Sequence, residues 1–165
     1  MMKIKHDISE RHVLTITVDN EAGILAKIAG LFTARGYNID SLTVADIAEN
    51  HAVSRITIVT QGPPKVIDQI HAQLERLVPV HGVVDLSEQG PHIERELALV
   101  KLAPSAGAQA LAAEYGARAI ADATGCLIFE LTETSDRIDS FIHSARDFGL
   151  LEVARTGIVG MTLGA

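Results

Sequence analysis

Between Val13 and Leu25 the spacing of the apolar residues changes from alternation to a repeat of about 3.6 residues, the pattern of a strand feeding a helix through a tight turn. Leu14, Ile16 and Val18 alternate with Thr15 and Thr17, as in a half-buried strand. Ile24, Leu25, Ile28, Leu31 and Phe32 then recur on one face of an amphipathic helix. The intervening Asp19-Asn20-Glu21-Ala22-Gly23 therefore leads into a helix N-terminus, where backbone N–H groups lack intrahelical partners and attract an anion. Gly23 lets the backbone turn without a Cβ and leaves space beside those donors, which suits a free amino-acid carboxylate. The same residues also suit a plain helix start capped by Asp19 or Asn20, and local pattern does not separate the two.

The rest of the chain narrows the fold. Gly36 is placed to end a helix over 22–35 in the left-handed conformation, with Arg35 in its last turn favourable to the dipole. Residues 37–47 read extended, Glu49-Asn50-His51 as a turn and 53–60 as the returning strand of a hairpin, with Ile56 and Ile58 on one face. Gly62-Pro63-Pro64 opens a second helix whose stripe is Val66, Ile67, Ile70, Leu74 and Leu77; Pro79 closes it before a strand over 80–86. The order is βαββαβ, which right-handed crossovers fold into a four-stranded antiparallel sheet with both helices on one face.

After a junction at Gln89-Gly90-Pro91 the order repeats. Strands are predicted over 96–102, 118–123, 126–132 and 150–159, with a hairpin around Thr124-Gly125. Helices are predicted over 106–115 and 135–148, the latter turning Ile138, Phe141, Ile142 and Ala145 inward. The expectation is an α+β protein of two ferredoxin-like βαββαβ domains, 11–88 and 92–163, behind a polar, frayed start of about ten residues. Leu97 and Leu99 oppose Ala98, Val100 and Leu102 along one strand, so both of its faces are to be covered. Helices reach only one; the neighbouring domain or another subunit is expected on the other, and an oligomer follows.

Chemistry is sparse. A net charge of −7, aromatics at 4% without Trp, and scattered basic residues exclude a nucleic-acid surface. Cys126 stands alone, so there is no intrachain disulfide. The start lacks an apolar signal region and no apolar run approaches membrane-spanning length, so a cytoplasmic chain without membrane contact is expected. The seven histidines show no close metal-ligand spacing, and each reads as a solvated surface residue; no metal site is expected. Neither a G-x-S-x-G elbow nor a P-loop occurs, and no catalytic residue is assigned. Arg55, in a strand of β-branched and small residues, must emerge from the sheet or meet a carboxylate.

Asp19-Asn20-Glu21-Ala22-Gly23-Ile24-Leu25, Gly30-Leu31-Phe32 and the run Arg35-Gly36-Tyr37-Asn38-Ile39-Asp40-Ser41-Leu42-Thr43-Val44 closely resemble the ACT domain of the small, regulatory subunit of acetolactate synthase. Ser54-Arg55-Ile56-Thr57, the run from Gln73 to Val80, His92-Ile93-Glu94-Arg95-Glu96 with Leu97 to Lys101, and Glu152-Val153-Ala154-Arg155-Thr156-Gly157 extend the resemblance through the chain. The resemblance implies a non-catalytic homodimer that binds and activates a catalytic subunit. It would confer feedback inhibition by valine, or by leucine or isoleucine. It implies an effector site between two ACT domains, with Asn20, Gly23, Ile24 and Leu25 from one protomer and Asn38 and Ile39 from the other. Thiamine diphosphate, Mg and FAD would belong only to the catalytic partner. Ile24 is bulky where smaller side chains also occur, which would narrow the pocket. The alternatives are a free-standing amino-acid sensor acting on another partner, and a small ferredoxin-like enzyme or metal-handling protein.

Overall fold

The computed structural model describes residues 10–123 and 125–164; the predicted frayed start and Thr124 of the predicted hairpin turn lie outside them. The chain divides into two compact units, one running to Ile93 and taking in the last residues from Gly160, the other Glu94–Val159.

The first unit runs β1 (Glu10–Asp19), α1 (Ile24–Thr33), β2 (Ser41–Asp46), β3 (Val53–Gly62), α2 (Pro64–Leu74) and β4 (Val80–Asp85). Its strands order as β2-β3-β1-β4, so β1 and β3 lie inside the sheet and β2 and β4 at its edges. The pairings of β1 with β3 and β4, and of β2 with β3, are antiparallel. Alternation sends Leu14, Ile16 and Val18 with Ile56 and Ile58 to one face, against Ile24, Ile28 and Phe32 of α1 and Ile67, Ile70 and Leu74 of α2. Each helix thus buries a stripe of i, i+3 or i+4 spacing. Burying a side chain of this size is worth roughly 1.5–3 kcal/mol, so the core formed by the two periodicities dominates the stability of the unit.

The second unit has the same order: β5 (His92–Leu102), α3 (Ala106–Tyr115), β6 (Arg118–Ala123), β7 (Cys126–Glu133), α4 (Ser135–Ala145) and β8 (Leu150–Thr162), with strands ordered β6-β7-β5-β8. Ala98, Val100 and Leu102 face Leu111, Ile138 and Phe141, while Leu97 and Leu99 lie half-buried on the opposite face. The Ser105 hydroxyl caps α3 by accepting from the Ala108 N–H at 3.0 Å. The pairs Ile67/Ile70 and Ile138/Phe141 hold equivalent core positions, as the echo between the two second helices predicts. The predicted α+β fold of two βαββαβ units is present.

Boundaries moved for identifiable reasons. The first helix starts at Ile24 rather than Ala22 because Gly23 adopts φ +84°, outside helical space. The helix predicted to reach Phe148 ends at Ala145 and tightens into a 3-10 turn over Arg146–Phe148. Gly36 closes α1 as predicted, at φ +70°, and the Tyr37 and Gly36 N–H groups donate back to the Phe32 and Thr33 carbonyls. Among the described residues no helix is long and apolar enough to cross a membrane.

Candidate effector site

The turn between β1 and α1 is held open at the helix end. No side chain caps α1; Gly23 occupies the N-cap position, so neither Asp19 nor Asn20 does the capping that the plain reading assigned to them. The first hydrogen bond of helical i to i−4 type at this end runs from the Lys27 N–H to the Gly23 carbonyl at 3.1 Å, with the amides of Leu25 and Ala26 ahead of it at the positive end of the helix. A Cβ built on Gly23 meets no atom within 4 Å, so the space beside those donors is open.

Asn20 is spent differently from a cap. Its N–H donates to the Ala52 carbonyl at 2.8 Å, and its side-chain Nδ2 donates to Asp46 Oδ1 at 3.2 Å and the His51 carbonyl at 3.0 Å. Asp46 also accepts from Ser54 Oγ at 2.9 Å and lies 3.0 Å from His51 Nδ1. Hydrogen bonds from Ser54 and then His51 hold the Asp46 carboxyl below its ordinary value of 3.8. Asp19 is drawn the other way, to His81 Nε2 at 2.6 Å. The turn is thereby pinned to the β2–β3 hairpin and to the start of β4.

The structure separates the predicted site residues into two groups. Asn20, Gly23, Ile24 and Leu25 lie at the N-terminal end of α1, and Asn38 and Ile39 beyond its C-terminal end. A ten-residue helix is about 15 Å long, so one chain does not close both groups on one small molecule. The side chain of Ile24 is only 6% exposed and belongs to the core, so the predicted narrowing of a pocket by its bulk does not arise; only its backbone faces the turn. Leu25 is 37% exposed and Ile39 half-buried, leaving these two as the available apolar surface. Asn38 donates one Nδ2 hydrogen to Asp40 Oδ1 at 2.9 Å, which leaves its second N–H and its side-chain carbonyl uncommitted to that contact, the mixed pair its chemistry offers.

Two features were missed by sequence reasoning. Asp46, His51 and Ser54 gather at Asn20 only because the hairpin register places Asp46 opposite Ser54. His12 is not a solvated surface residue: it is 2% exposed, with Nδ1 2.6 Å from Asp85 Oδ2 and Nε2 buried without a hydrogen-bond partner. With Glu88 these residues form a group of metal-ligand type, which no sequence spacing could signal because 73 positions separate His12 from Asp85. Arg55 keeps its Nε buried with no hydrogen-bond partner, a position between the two predicted for it.

Tandem βαββαβ units and an uncapped, glycine-opened helix start place the protein in the class of ACT-type α+β chains. Residues 14–82 match the family described as the AHAS small subunit-like ACT domain, and residues 95–164 that described as the small subunit of acetolactate synthase. The chain is 43% identical over 159 residues to the acetolactate synthase isozyme 3 small subunit of Salmonella typhimurium, covering 93% of this chain and 96% of that one. It is 36% identical over 161 residues to a probable acetolactate synthase small subunit of Methanothermobacter thermautotrophicus, covering 94% and 95%. The crystal structure of the acetolactate synthase small subunit from Thermotoga maritima superposes with a TM-score of 0.85 at 31% identity, covering 94% of this chain and 99% of that one. The chain belongs to the family of small, regulatory subunits of acetolactate synthase.

Proposed function

We propose that the chain activates the catalytic subunit of acetolactate synthase and makes it sensitive to valine, or a related branched-chain amino acid, bound between two copies of the first unit. Thiamine diphosphate, magnesium and FAD belong in this reading to the catalytic partner, and the domain limits 11–88 for the effector unit and 92–163 for the second are kept.

The observation that carries the reading is that the two groups of site residues lie at opposite ends of α1 while β2, an edge strand, spans the same gap. Six residues of strand extend about 20 Å, close to the length of α1. Among the described residues β2 stands at the edge of its sheet, and Leu42, Val44 and Ile47 on or next to it are 36, 45 and 55% exposed. Two β2 strands paired antiparallel about a two-fold axis put Asn38 and Ile39, just before Ser41, next to the partner's end of β2. That end is where Asp46 holds the Asn20 turn. Each dimer then has two sites, each with helix N–H groups for a carboxylate, side-chain carbonyls for an ammonium, and Leu25 with Ile39 for a short aliphatic chain.

A ligand touching both protomers favours the arrangement in which they grip it, and only such differential affinity moves an equilibrium. A tenfold difference corresponds to about 1.4 kcal/mol of coupling, ordinary for allostery. Calorimetry of the purified chain with valine, leucine and isoleucine tests the reading: saturable heat at one site per chain is expected, and heat from none of the three refutes it. Val44→Lys is expected to place a charge on each side of the two-fold contact, make the chain monomeric at micromolar concentration in analytical ultracentrifugation, and weaken valine binding at least tenfold. A fully dimeric variant would rule out pairing through β2.

A further inference from the structure

A carboxylate and a backbone carbonyl can only accept hydrogen bonds. Asn20 Nδ2 lies against both, 3.2 Å from Asp46 Oδ1 and 3.0 Å from the His51 carbonyl. The two acceptors fix which way the Asn20 amide faces: its amino group must point at them, and its Oδ1 is left facing away. Asp46 is itself held in place by Ser54 Oγ at 2.9 Å and His51 Nδ1 at 3.0 Å. The surroundings therefore reinforce one amide orientation at Asn20.

We infer that Asp46 is the specificity-determining positioning residue of the effector site: by holding Asn20 with its carbonyl oxygen outward, it makes the turn select a ligand that bears an ammonium group beside its carboxylate. The inference rests on the reading of the turn as an amino-acid site. The outward Oδ1 accepts from an α-ammonium, while the Leu25 and Ala26 amides at the start of α1 take the carboxylate. Without Asp46 only the His51 carbonyl, at 3.0 Å, still holds the amide, so the flipped orientation, whose amino group opposes an ammonium and favours a second anion or a hydroxyl, costs one hydrogen bond instead of two.

The test compares valine with 3-methylbutanoate, which keeps the carboxylate and branched chain but lacks the ammonium, by calorimetry on the full chain. The wild-type protein is expected to prefer valine at least tenfold. Asp46→Ala should weaken valine about tenfold and leave 3-methylbutanoate within about twofold, so that the preference collapses. Asp46 is exposed at the end of an edge strand, so the substitution removes no core contact. Asp46→Asn, which retains an acceptor oxygen for Asn20, should restore most of the preference. An equal loss for both ligands in Asp46→Ala would show a merely structural residue and overturn the inference while the site reading stands. Absence of valine heat from the wild-type chain would overturn the site reading and this inference with it.

Discussion

Gly23→Asp is expected to weaken valine binding by about two orders of magnitude and abolish valine inhibition of the reconstituted holoenzyme, while activation of the catalytic subunit persists. The backbone at this position is at φ +84°, where a residue with a Cβ is strained by roughly 1–2 kcal/mol, Asp and Asn less than most. No atom lies within 4 Å of the added Cβ, so no clash adds to that strain. The unit should stay folded, with its thermal midpoint lowered by about 4–8 °C per kcal/mol. What changes is electrostatic. The new carboxylate occupies the space in front of the Leu25 and Ala26 amides, where it satisfies the helix end from within the chain and repels the ligand's own carboxylate. Two like charges about 4 Å apart near a protein surface repel by roughly 1–4 kcal/mol, which spans the expected loss.

Gly23→Asn separates charge from strain. It has nearly the same size and the same tolerance for the left-handed conformation, so a purely steric or backbone effect would make the two variants alike. The Asn variant should lose at most about tenfold. Valine titrations of holoenzyme activity, with calorimetry on the free subunit, give both numbers; unaltered sensitivity in the Asp variant would remove the site from this turn.

How much of this was legible before folding depends on range. The interior of each strand and helix followed from alternation or helical spacing, because burial of Leu14, Ile16 and Val18, or of Ile28 and Phe32, is imposed by geometry within a few residues. The ends did not follow. β1 takes in Glu10, Arg11 and His12, ahead of the alternating stretch, because they pair with Gly62, Gln61 and Thr60, a gain supplied by a strand some fifty positions away. The site divides in the same manner. The glycine turn and its open helix start were readable from Asp19 to Leu25, since they depend on neighbours in sequence. The orientation of Asn20 depends on Asp46 and His51 and therefore on hairpin register, and the burial of His12 depends on Asp85 across the sheet. Ile24 shows the opposite limit: a residue that adjoins the glycine turn in sequence has its side chain turned by the helix into the core.

The second large effect lies in the other unit, at the contact between β8, β5 and α4. Glu96 is 5% exposed and is gripped by Arg155, whose Nε donates to Oε1 at 2.8 Å and whose terminal nitrogen donates to Oε2 at 2.7 Å. Ser135 Oγ donates to the same carboxylate at 2.8 Å, and Arg155 also reaches Asp139 at 2.6 Å. Burial raises the Glu96 pKa more than any other single influence, but the hydrogen bonds from Arg155 and Ser135, the Arg155 charge and the Gly157 backbone together outweigh it and hold the group below its ordinary 4.5. The Arg155 guanidinium is pushed up correspondingly, chiefly by its hydrogen bonds to Glu96.

Arg155→Ala leaves a buried carboxylate without its cation. Removing one partner of such a pair costs about 3–5 kcal/mol, and because a third of the Arg155 side chain meets solvent the lower end applies, about 3 kcal/mol. For a unit of this size that is a fall of about 12–24 °C in thermal midpoint, measurable by circular dichroism.

The pH dependence fixes the cause. In the wild-type unit the depressed pKa contributes stability above pH 4.5 that is lost as pH falls through the lower folded value. In the variant burial prevails, the folded pKa rises above 4.5, and the penalty present at neutral pH is relieved as the carboxyl takes up a proton on acidification. The difference in midpoint between the two proteins should therefore narrow from pH 7 to pH 4. Glu96→Gln in the Arg155→Ala background should recover part of the loss at pH 7 by removing the charge altogether. A gap independent of pH, with no recovery in the double variant, would mean that Arg155 stabilises the unit by packing its stem and not by neutralising Glu96.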